Sequence, residues 1–416
     1  MESAAAWRRN RVKLTVLKAG TSSLFYLPIL VVFLQQSGMS LFEVLIMQGI
    51  SALVLASWQI PSGYLADRWG RKNTLIAGAV CNFIGVLCYC IGTNYWFFLA
   101  ATSLLSTGLS FQSGTIEALT FESLEAEGKA QSFRRSLGSQ TFMRFAAEAL
   151  AGLIGGALAV ISLRLAFWAT LPVFGALIVL AMTLDEPPRT TLSRGQKALN
   201  TMLAVAHRSL IGDKRLRYVI LIDSLFGSLL ITLYWFTQPY LVEAGVPLGY
   251  FGAVHAAVVL SAAIASRESY RFAHWLKDRQ FLLFIAISAV SFLLLLGVLP
   301  PAPAGIALII LVRVMWGFLG PLTFDLMNRM TTPDVRATIL SVRGFMFQIF
   351  FAFFPPVFAA IADRTSLSTS LIMHGLFTGC CIAVLLKLMR PLWKKIPKEI
   401  GMETLGTLVQ PVTPTV

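Results

Sequence analysis

Charged residues are scarce in this sequence of 416 residues: Asp, Glu, Lys and Arg make up 13% of it, whereas hydrophobic residues make up 56%. A soluble domain carries about 25% charged residues, so this chain lacks the polar surface that water requires. The hydrophobic residues form repeated runs of about 20, the length of helix that crosses a bilayer core of about 30 Å. The composition excludes an ordinary soluble protein and predicts an all-α membrane protein with the lipid bilayer as its main partner.

The groups that carry enzymatic chemistry are also few. The four histidines are scattered along the chain, and the sequence contains no HExxH, GxSxG or GxxxxGK[ST] motif. All five cysteines fall inside hydrophobic runs, without the spacing to histidine that a metal site needs. These absences argue against a membrane-embedded enzyme and against an ATP-driven machine, and we expect neither a cofactor nor a metal.

Twelve hydrophobic runs, numbered here as spans 1 to 12, follow one another along the chain. They cover about residues 14–36, 41–66, 73–93, 95–118, 136–160, 164–184, 217–241, 250–268, 280–299, 304–328, 336–361 and 369–389. Because span 2 follows span 1 almost at once and no small-residue cleavage site lies between them, we expect span 1 to be a retained helix rather than a signal peptide.

Lysine and arginine are distributed unevenly between the loops. The two tails and the loops that follow even-numbered spans hold nearly all of them, and the opposite side keeps only Arg164 and Arg364. By the positive-inside rule, both termini are cytoplasmic. The net charge of +14 is then explained by topology, and nucleic-acid binding is not needed to account for it. We expect a monomer in a bacterial inner membrane, because the loops are short.

The polar segments divide the chain into four parts. These are an amino-terminal six-helix bundle (1–184), a cytoplasmic central loop (185–216), a carboxy-terminal six-helix bundle (217–390) and a cytoplasmic tail (391–416). Within the loop, residues 199–210 have the spacing of an amphipathic helix on the membrane surface. The tail is rich in proline, threonine and lysine, and we expect it to be poorly ordered.

The two bundles show weak internal similarity at an offset near 206 residues. Tyr64 and Trp69 then align with Tyr270 and Trp275, in loops that are both basic. Such an offset favours parallel repeats related by an axis along the membrane normal, which suits alternating access around a central cavity.

The decapeptide GYLADRWGRK, residues 63–72, lies between spans 2 and 3. It resembles the signature of the major facilitator superfamily, in which a glycine, an aspartate, a second glycine and basic residues recur in this loop. The resemblance implies twelve transmembrane helices in two bundles and secondary transport of a small organic solute by alternating access. The expected function is proton-coupled export of a drug or metabolite. The alternative is an importer or permease for a nutrient or a metal chelate such as a siderophore.

Two departures from the family pattern bear on whether the chain resembles the drug–proton antiporters of this superfamily. Leu104 occupies the place, four residues before Gly108, where many proton-driven exporters carry an arginine, and Arg313 restores that spacing to a glycine in span 10. Residues 151–156, AGLIGG, resemble a glycine-rich antiporter motif of span 5, with glycine where the family has proline. A channel or receptor would need neither the loop signature nor the repeat.

The resemblance implies that the decapeptide forms a latch that clamps the halves together on the cytoplasmic face. The expected members are Gly63, Asp67, Arg68, Gly70, Arg71, Lys72, Glu117, Glu122, Asp325 and Arg343. Asp67 can accept hydrogen bonds from the start of span 11, where the helix dipole is positive. The two glycines would allow a close helix approach and a tight turn. In the alternative interpretation, the basic residues only set topology.

Charged residues inside spans are costly and are therefore candidates for the substrate or proton pathway. They are Lys18, Arg144, Glu148, Asp223 and Arg313. Arg144 and Glu148 are spaced i,i+4 and can pair, either structurally or as a proton switch. Lys18 and Asp223 are equivalent at an offset of 205 and are expected to pair. Arg313 needs a partner on another helix or an anionic substrate.

Aromatic and amide side chains in spans 1 and 7 are candidates for the cavity lining. They are Phe25, Tyr26, Tyr234, Trp235, Gln238 and Tyr240. Amphipathic rings beside an amide suit a flat or amphiphilic substrate, whereas the alternative is packing or contact with lipid.

Overall fold

The computed structural model describes residues 2–186, 212–298 and 303–395, and these ranges are helical, without a strand. Ten of the described helices are long and apolar enough to cross a membrane. The chain is thus an integral, multi-pass membrane protein, and the predicted all-α class is confirmed. The amphipathic helix predicted at 199–210 and the tail from residue 396 lie outside the described residues.

Nine of the predicted spans are single helices. Spans 2, 3, 5, 6, 8, 9, 10, 11 and 12 are Leu41–Trp69, Arg71–Ile91, Phe133–Ile161, Leu163–Met182, Phe251–Trp275, Asp278–Val298, Pro303–Arg329, Pro333–Arg364 and Leu367–Met389. Span 7 is the tenth and is continuous, but it changes pitch: Lys214–Leu221 and Gly227–Glu243 are α-helical, and Ile222–Phe226 between them is a π-helical turn. Such turns are rare and often mark functional positions.

Spans 1 and 4 are broken helices. Span 1 consists of Glu2–Gly20 and Leu30–Gln36, joined by irregular residues and a 3₁₀ turn that contains Pro28, which has no N–H to continue the helix. Span 4 consists of Tyr95–Gln112 and Thr115–Ala126. The break falls at Gly114, whose φ of +77° is accessible to glycine at little cost.

The helix ends define two ends of the bundle. Asn10 donates hydrogen bonds to the Ser123 hydroxyl and to the Asp185 carbonyl oxygen, both at 3.0 Å. The start of span 1 therefore lies beside the ends of spans 4 and 6. We call this the inner end and the opposite one the outer end.

The two halves contact each other at the outer end. Between spans 2 and 11, a Cβ added at Gly49 would lie 2.6 Å from the Ala352 carbonyl oxygen, and between spans 5 and 8 a Cβ at Gly156 would lie 2.6 Å from the Gly252 nitrogen. Toward the inner end of the same helices, a Cβ would meet no described atom within 4 Å at Gly63, Gly138 or Gly344. The halves therefore diverge toward the inner end. The close helix approach predicted at Gly63 is not seen among the described residues in this conformation.

Candidate functional site

A cavity of about 260 Å³ lies beside the break in span 1. Its walls come mainly from the amino-terminal half, and Trp235 of span 7 contributes from the other half. The polar lining residues are Thr21, Gln48, Ser51, Asn82, Tyr89, Thr102 and Ser106. No charged residue of the described chain lines it. The charges that the sequence nominated for the substrate pathway therefore lie outside this lining.

The aromatic wall of the cavity is a stacked group. The rings of Tyr26 and Phe167 are stacked with centroids 4.5 Å apart, and Tyr89 stacks on Phe167 at 5.3 Å. Tyr26 and Tyr89 are each 1% exposed, and the hydroxyls of Tyr89 and Thr102 hydrogen-bond to each other. Packing of this kind fixes the orientation of the rings, so the wall is rigid.

The predicted lining residues divide into three groups. Tyr26 and Trp235 line the cavity. Tyr234 and Gln238 line a second, much smaller space of about 10 Å³, together with His255. Phe25 and Tyr240 line neither: the Phe25 carbonyl lies against Gly155, and the Tyr240 hydroxyl lies against Gly305. Phe25 and Tyr240 therefore pack against glycines of neighbouring helices and do not line the cavity.

Gln238 joins the two halves at the outer end. Its Oε1 accepts hydrogen bonds from the backbone N–H groups of Val31, at 2.8 Å, and Val32, at 3.3 Å, while its Nε2 donates to the Leu27 carbonyl oxygen at 2.8 Å. These N–H groups are the unsatisfied donors that begin any helix, and the break in span 1 makes them available. Closure of the outer end thus depends on the irregular backbone of span 1.

A second outer contact comes from Asp363, at the end of span 11. Its carboxylate accepts hydrogen bonds from the N–H groups of Leu41, at 3.2 Å, and Phe42, at 2.8 Å, which begin span 2. The positive end of the span 2 dipole favours this carboxylate. The sequence analysis did not identify Asp363, since no local pattern pairs a helix end with a helix start more than 300 residues earlier.

A charged cluster lies where spans 5, 7 and 10 meet. Arg144 pairs with Glu148 at 3.3 Å, as the i,i+4 spacing predicts. Glu148 is also within electrostatic range of Arg313 on the other half. Arg313 is 6% exposed, and its guanidinium lies over the rings of Trp316, at 4.6 Å, and Tyr234, at 5.2 Å. Its Nε and Nη1 find no hydrogen-bond partner among the described residues.

His255 extends this cluster onto span 8. It is 7% exposed, its ring centroid is 5.8 Å from that of Tyr234, and its Nε2 has no partner in the described part of the chain. A Cβ at Gly152 would lie 2.6 Å from the His255 ring, so the glycine of the antiporter-like run makes room for the histidine of the other half. Sequence analysis missed His255 because it was an isolated histidine.

The predicted pairing of Lys18 with Asp223 does not occur in this conformation. Lys18 Nζ instead lies 2.6 Å from Glu117 Oε1. Asp223, on the π-helical turn, pairs with Arg343 of span 11 and accepts from the Thr323 hydroxyl of span 10. Lys18 and Asp223, which the sequence aligns at an offset of 205, each bind inside their own half rather than across the centre.

The described contacts of Gly70 and Arg71 in the signature loop are with the amino-terminal half and with the start of the central loop. Gly70 turns with φ of +103°, which confirms the tight turn, and the next N–H, of Arg71, donates to Glu186 at 2.7 Å. The Arg71 guanidinium pairs with Glu122 at 2.6 Å, as expected, whereas Glu117 is occupied by Lys18. The side chains of Asp67 and Arg68 are exposed, and Lys72 is half-buried. The latch role of this loop stays a prediction.

Asp325 and Arg343 were expected in the latch, but their described contacts lie within the carboxy-terminal half. Asp325 pairs with Arg329 at 2.9 Å, and Arg329 also pairs with Asp278 at 2.7 Å. Arg343 binds Asp223. These ion pairs hold spans 7, 9, 10 and 11 together near the inner end.

Solved structures of membrane transporters have a fold similar to that of this chain. The nucleoside transporter NupG superposes with a TM-score of 0.78 at 12% identity, over 91% of this chain and 99% of that one. A bacterial homolog of the human lysosomal transporter Spinster, inward-facing and unoccupied, superposes with a TM-score of 0.74 at 15% identity, over 95% and 99%. A D-xylose–proton symporter gives 0.70 at 16% identity, over 93% and 97%.

At such low identities these likenesses establish the fold alone. No curated protein sequence matches the chain. The family model described as Major Facilitator Superfamily matches residues 14–355, most of the 416. The chain therefore belongs to the major facilitator superfamily and is a membrane transporter rather than an enzyme.

Proposed function

We propose that this protein exports a small organic solute across a bacterial inner membrane in exchange for protons. Contact between the halves at the outer end, with divergence toward the inner end, supports alternating access from the cytoplasmic side. The bundle would take up solute from the inner side in this conformation and release it outside after the outer contacts open. The distribution of lysine and arginine supports assigning the inner end to the cytoplasm.

Glu148 is the group that we assign to proton uptake, and its position carries the proposal. It lies on span 5, one turn before Gly152, at the contact between the halves. The groups around it are Arg144 on its own helix, Tyr234 on span 7 and Arg313 on span 10, with His255 of span 8 packed on Gly152. Protonation would remove the negative charge that holds two arginines from opposite halves, and the halves would then separate more easily at this point.

The export direction rests on a resemblance and on packing. The run 151–156 resembles the glycine-rich motif of antiporters, and its glycines form the contact of span 5 with spans 1 and 8. A carboxylate at such a contact couples protonation to the relative position of the halves. The D-xylose–proton symporter has a similar fold, so the architecture of the present chain is compatible with proton coupling.

Proteoliposomes with a trapped pH-sensitive dye would test the proposal. A panel of antibiotics, siderophores, amino acids and sugars is added, and we expect at least one compound to drive proton movement opposite to its own. Glu148→Gln should reduce that signal by about 10-fold or more, as expected for loss of a proton-transfer group. The matched control is Glu125→Gln, which changes an exposed carboxyl in the last turn of the helix Thr115–Ala126.

The direction of proton movement in this assay distinguishes an exporter from an importer. Protons that move in the same direction as the solute would assign an importer instead. Absence of a proton signal with every compound, beside a working control transporter, would contradict proton coupling. A Glu148→Gln variant that couples as well as the wild type would refute the role of this carboxylate.

A further inference from the structure

The cavity beside the broken span 1 is electrically neutral. Its polar groups are amides and hydroxyls, and no Asp, Glu, Lys or Arg of the described chain lines it. The nearest charge along span 1 is Lys18, three residues before the lining residue Thr21, and Glu117 neutralises it at 2.6 Å. Arg313, whose Nε and Nη1 have no hydrogen-bond partner among the described residues, is not part of this lining.

Two amide side chains in the lining lack partners. Gln48 of span 2 is 7% exposed, and its Nε2 donates to no described atom. Asn82 of span 3 is 4% exposed, and none of the hydrogen bonds in the described ranges involves its side chain. Each amide offers both a donor and an acceptor. The Gln48 Nε2 is buried and unsatisfied, which is costly, and the Asn82 amide faces the cavity, so a bound solute can bond to both.

Four hydroxyls of the lining form two pairs, Tyr89 with Thr102 and Ser51 with Ser106, and the Thr21 hydroxyl donates to the Lys18 carbonyl oxygen. The Tyr26 hydroxyl has no hydrogen-bond partner among the described residues. The two amides carry more free donors and acceptors than this single hydroxyl, so they are the main groups left to recognise a ligand. Their combined pattern requires a ligand with both donors and acceptors, which uncharged amide-bearing rings and polyols possess.

The aromatic walls add a preference for a planar or ring-shaped body. Tyr26 from the first half and Trp235 from the second both line the cavity, so a ring between them would contact both halves. Aromatic faces favour stacked or edge contacts with such a ring. A ligand held in this way links occupancy of the cavity to the position of the halves.

We infer that this cavity binds an uncharged, ring-containing solute that both donates and accepts hydrogen bonds, recognised by Gln48 and Asn82. The inference rests on the proposed transport function and names the class of its substrate. A charged solute would lose its hydration without gaining a counter-charge from the lining. The cavity therefore disfavours charged solutes. The proton binds elsewhere, at Glu148 in the charged cluster.

Equilibrium binding to the purified protein in detergent tests this directly, using probes that differ in charge. The pairs are uridine and uridine 5′-monophosphate, nicotinamide and nicotinate, and D-glucose and D-glucuronate. We expect at least one neutral member to bind and its anionic partner to bind at least about 10-fold more weakly. 1-Methylnicotinamide extends the comparison to a cation, which should also bind more weakly than nicotinamide.

Two variants assign the binding to the amides. Gln48→Leu and Asn82→Leu should each weaken binding of the neutral probe about 10-fold, since each leaves a ligand group unsatisfied. Gln36→Leu, at the exposed outer end of span 1, is the matched control and should bind like the wild type. Melting temperature and gel filtration confirm that each variant is folded. If both leucine variants fail to fold, Gln48→Ala and Asn82→Ala, which remove the amide without adding a charge or bulk, take their place.

The inference is overturned if a charged probe binds more tightly than its neutral partner, if the amide variants bind normally, or if no probe binds. Proton movement in proteoliposomes that persists despite such a result would leave the proposed function standing and refute only the substrate class. If the probes fail in this way and no compound drives proton movement in proteoliposomes, the proposed function is refuted as well.

Discussion

The amide oxygen of Gln238 accepts a hydrogen bond from the backbone N–H of Val31 at 2.8 Å, and this bond joins span 7 of one half to span 1 of the other. Two further bonds from the same amide reach Val32 and Leu27. Because the N–H donors exist only where span 1 is broken, the break near the cavity and the closure of the outer end are parts of one structure.

Replacing this amide should open the outer end. Three hydrogen bonds, each worth about 1 kcal/mol, are lost in Gln238→Leu, so the ratio of open to closed outer end should rise roughly 100-fold. Labelling of a cysteine at the cavity position Leu30 by an impermeant thiol reagent, in a cysteine-free background, measures the change. Thr237→Val is the control, since the described hydrogen bond of that hydroxyl is to the Leu233 carbonyl oxygen in its own helix. An unchanged labelling rate in Gln238→Leu would show that the clamp does not hold the outer end.

The glycine contact between spans 5 and 1 should tolerate no side chain. A Cβ at Gly155 would overlap the Phe25 carbonyl oxygen, so Gly155→Ala should destabilise the protein by about 1–3 kcal/mol and lower its melting temperature. At Gly138, on the same helix, a Cβ would meet no described atom within 4 Å. Gly138→Ala should therefore be neutral or stabilising by up to about 1 kcal/mol. Equal melting temperatures for the two variants would contradict the packing of this contact.

The partner of Lys18 can be identified by a double-mutant cycle. Lys18→Gln and Glu117→Gln each leave a partly buried charge unpaired, so the double variant should be less destabilised than the sum of the single variants, with a coupling of about 1 kcal/mol. Lys18→Gln combined with Asp223→Asn should be additive. Thermal unfolding of the purified variants gives both values. Coupling to Asp223 but not to Glu117 would restore the pairing that the sequence predicted.

The amino-terminal helix is anchored by an ion pair whose strength depends on pH. Burial alone would raise the pKa of Glu127, but hydrogen bonds from Arg11 and Lys129 outweigh it and hold the pKa below its usual range. Arg11 contacts both carboxylate oxygens, at 2.7 and 3.0 Å. A lowered pKa contributes stability above the unfolded value of about 4.3 and loses it as the pH falls through the folded value.

A spin label at the exposed position Arg8 would report this anchor. Its mobility should be low from neutral pH down to about 4 and should rise below that, as Glu127 becomes protonated. Arg11→Gln should give high mobility already at neutral pH. A mobility that does not respond to pH or to Arg11→Gln would show that the pair contributes nothing to the anchor.

The sequence predicts the features that depend on local pattern. Hydrophobic runs locate the spans, the i,i+4 spacing identifies Arg144 and Glu148, and the signature loop gives the turn at Gly70. The sequence does not predict which side chains on different helices pair with each other. The repeat offset suggested that Lys18 pairs with Asp223, but Lys18 pairs with Glu117 of span 4 and Asp223 pairs with Arg343 of span 11, each inside its own half.

The neutral cavity and the outer clamps depend on which helix faces meet in a particular conformation. Gln238 could be recognised as a polar residue in span 7, but its role follows from N–H groups freed by irregular backbone in span 1. Asp363 and the amides of Gln48 and Asn82 gave no signal in the sequence, because a single polar residue in a helix does not indicate its orientation.

Distances between spin labels on the two halves give the most direct test of alternating access. One pair spans the inner end, at Gly63 and Gly344, and the other spans the outer end, at Phe42 and Arg364, beside the Asp363 contact. As the pH is lowered or a bound solute is added in nanodiscs, we expect the inner distance to shorten while the outer distance lengthens. Two distances that stay constant while solute is transported would contradict the rocking of the two halves.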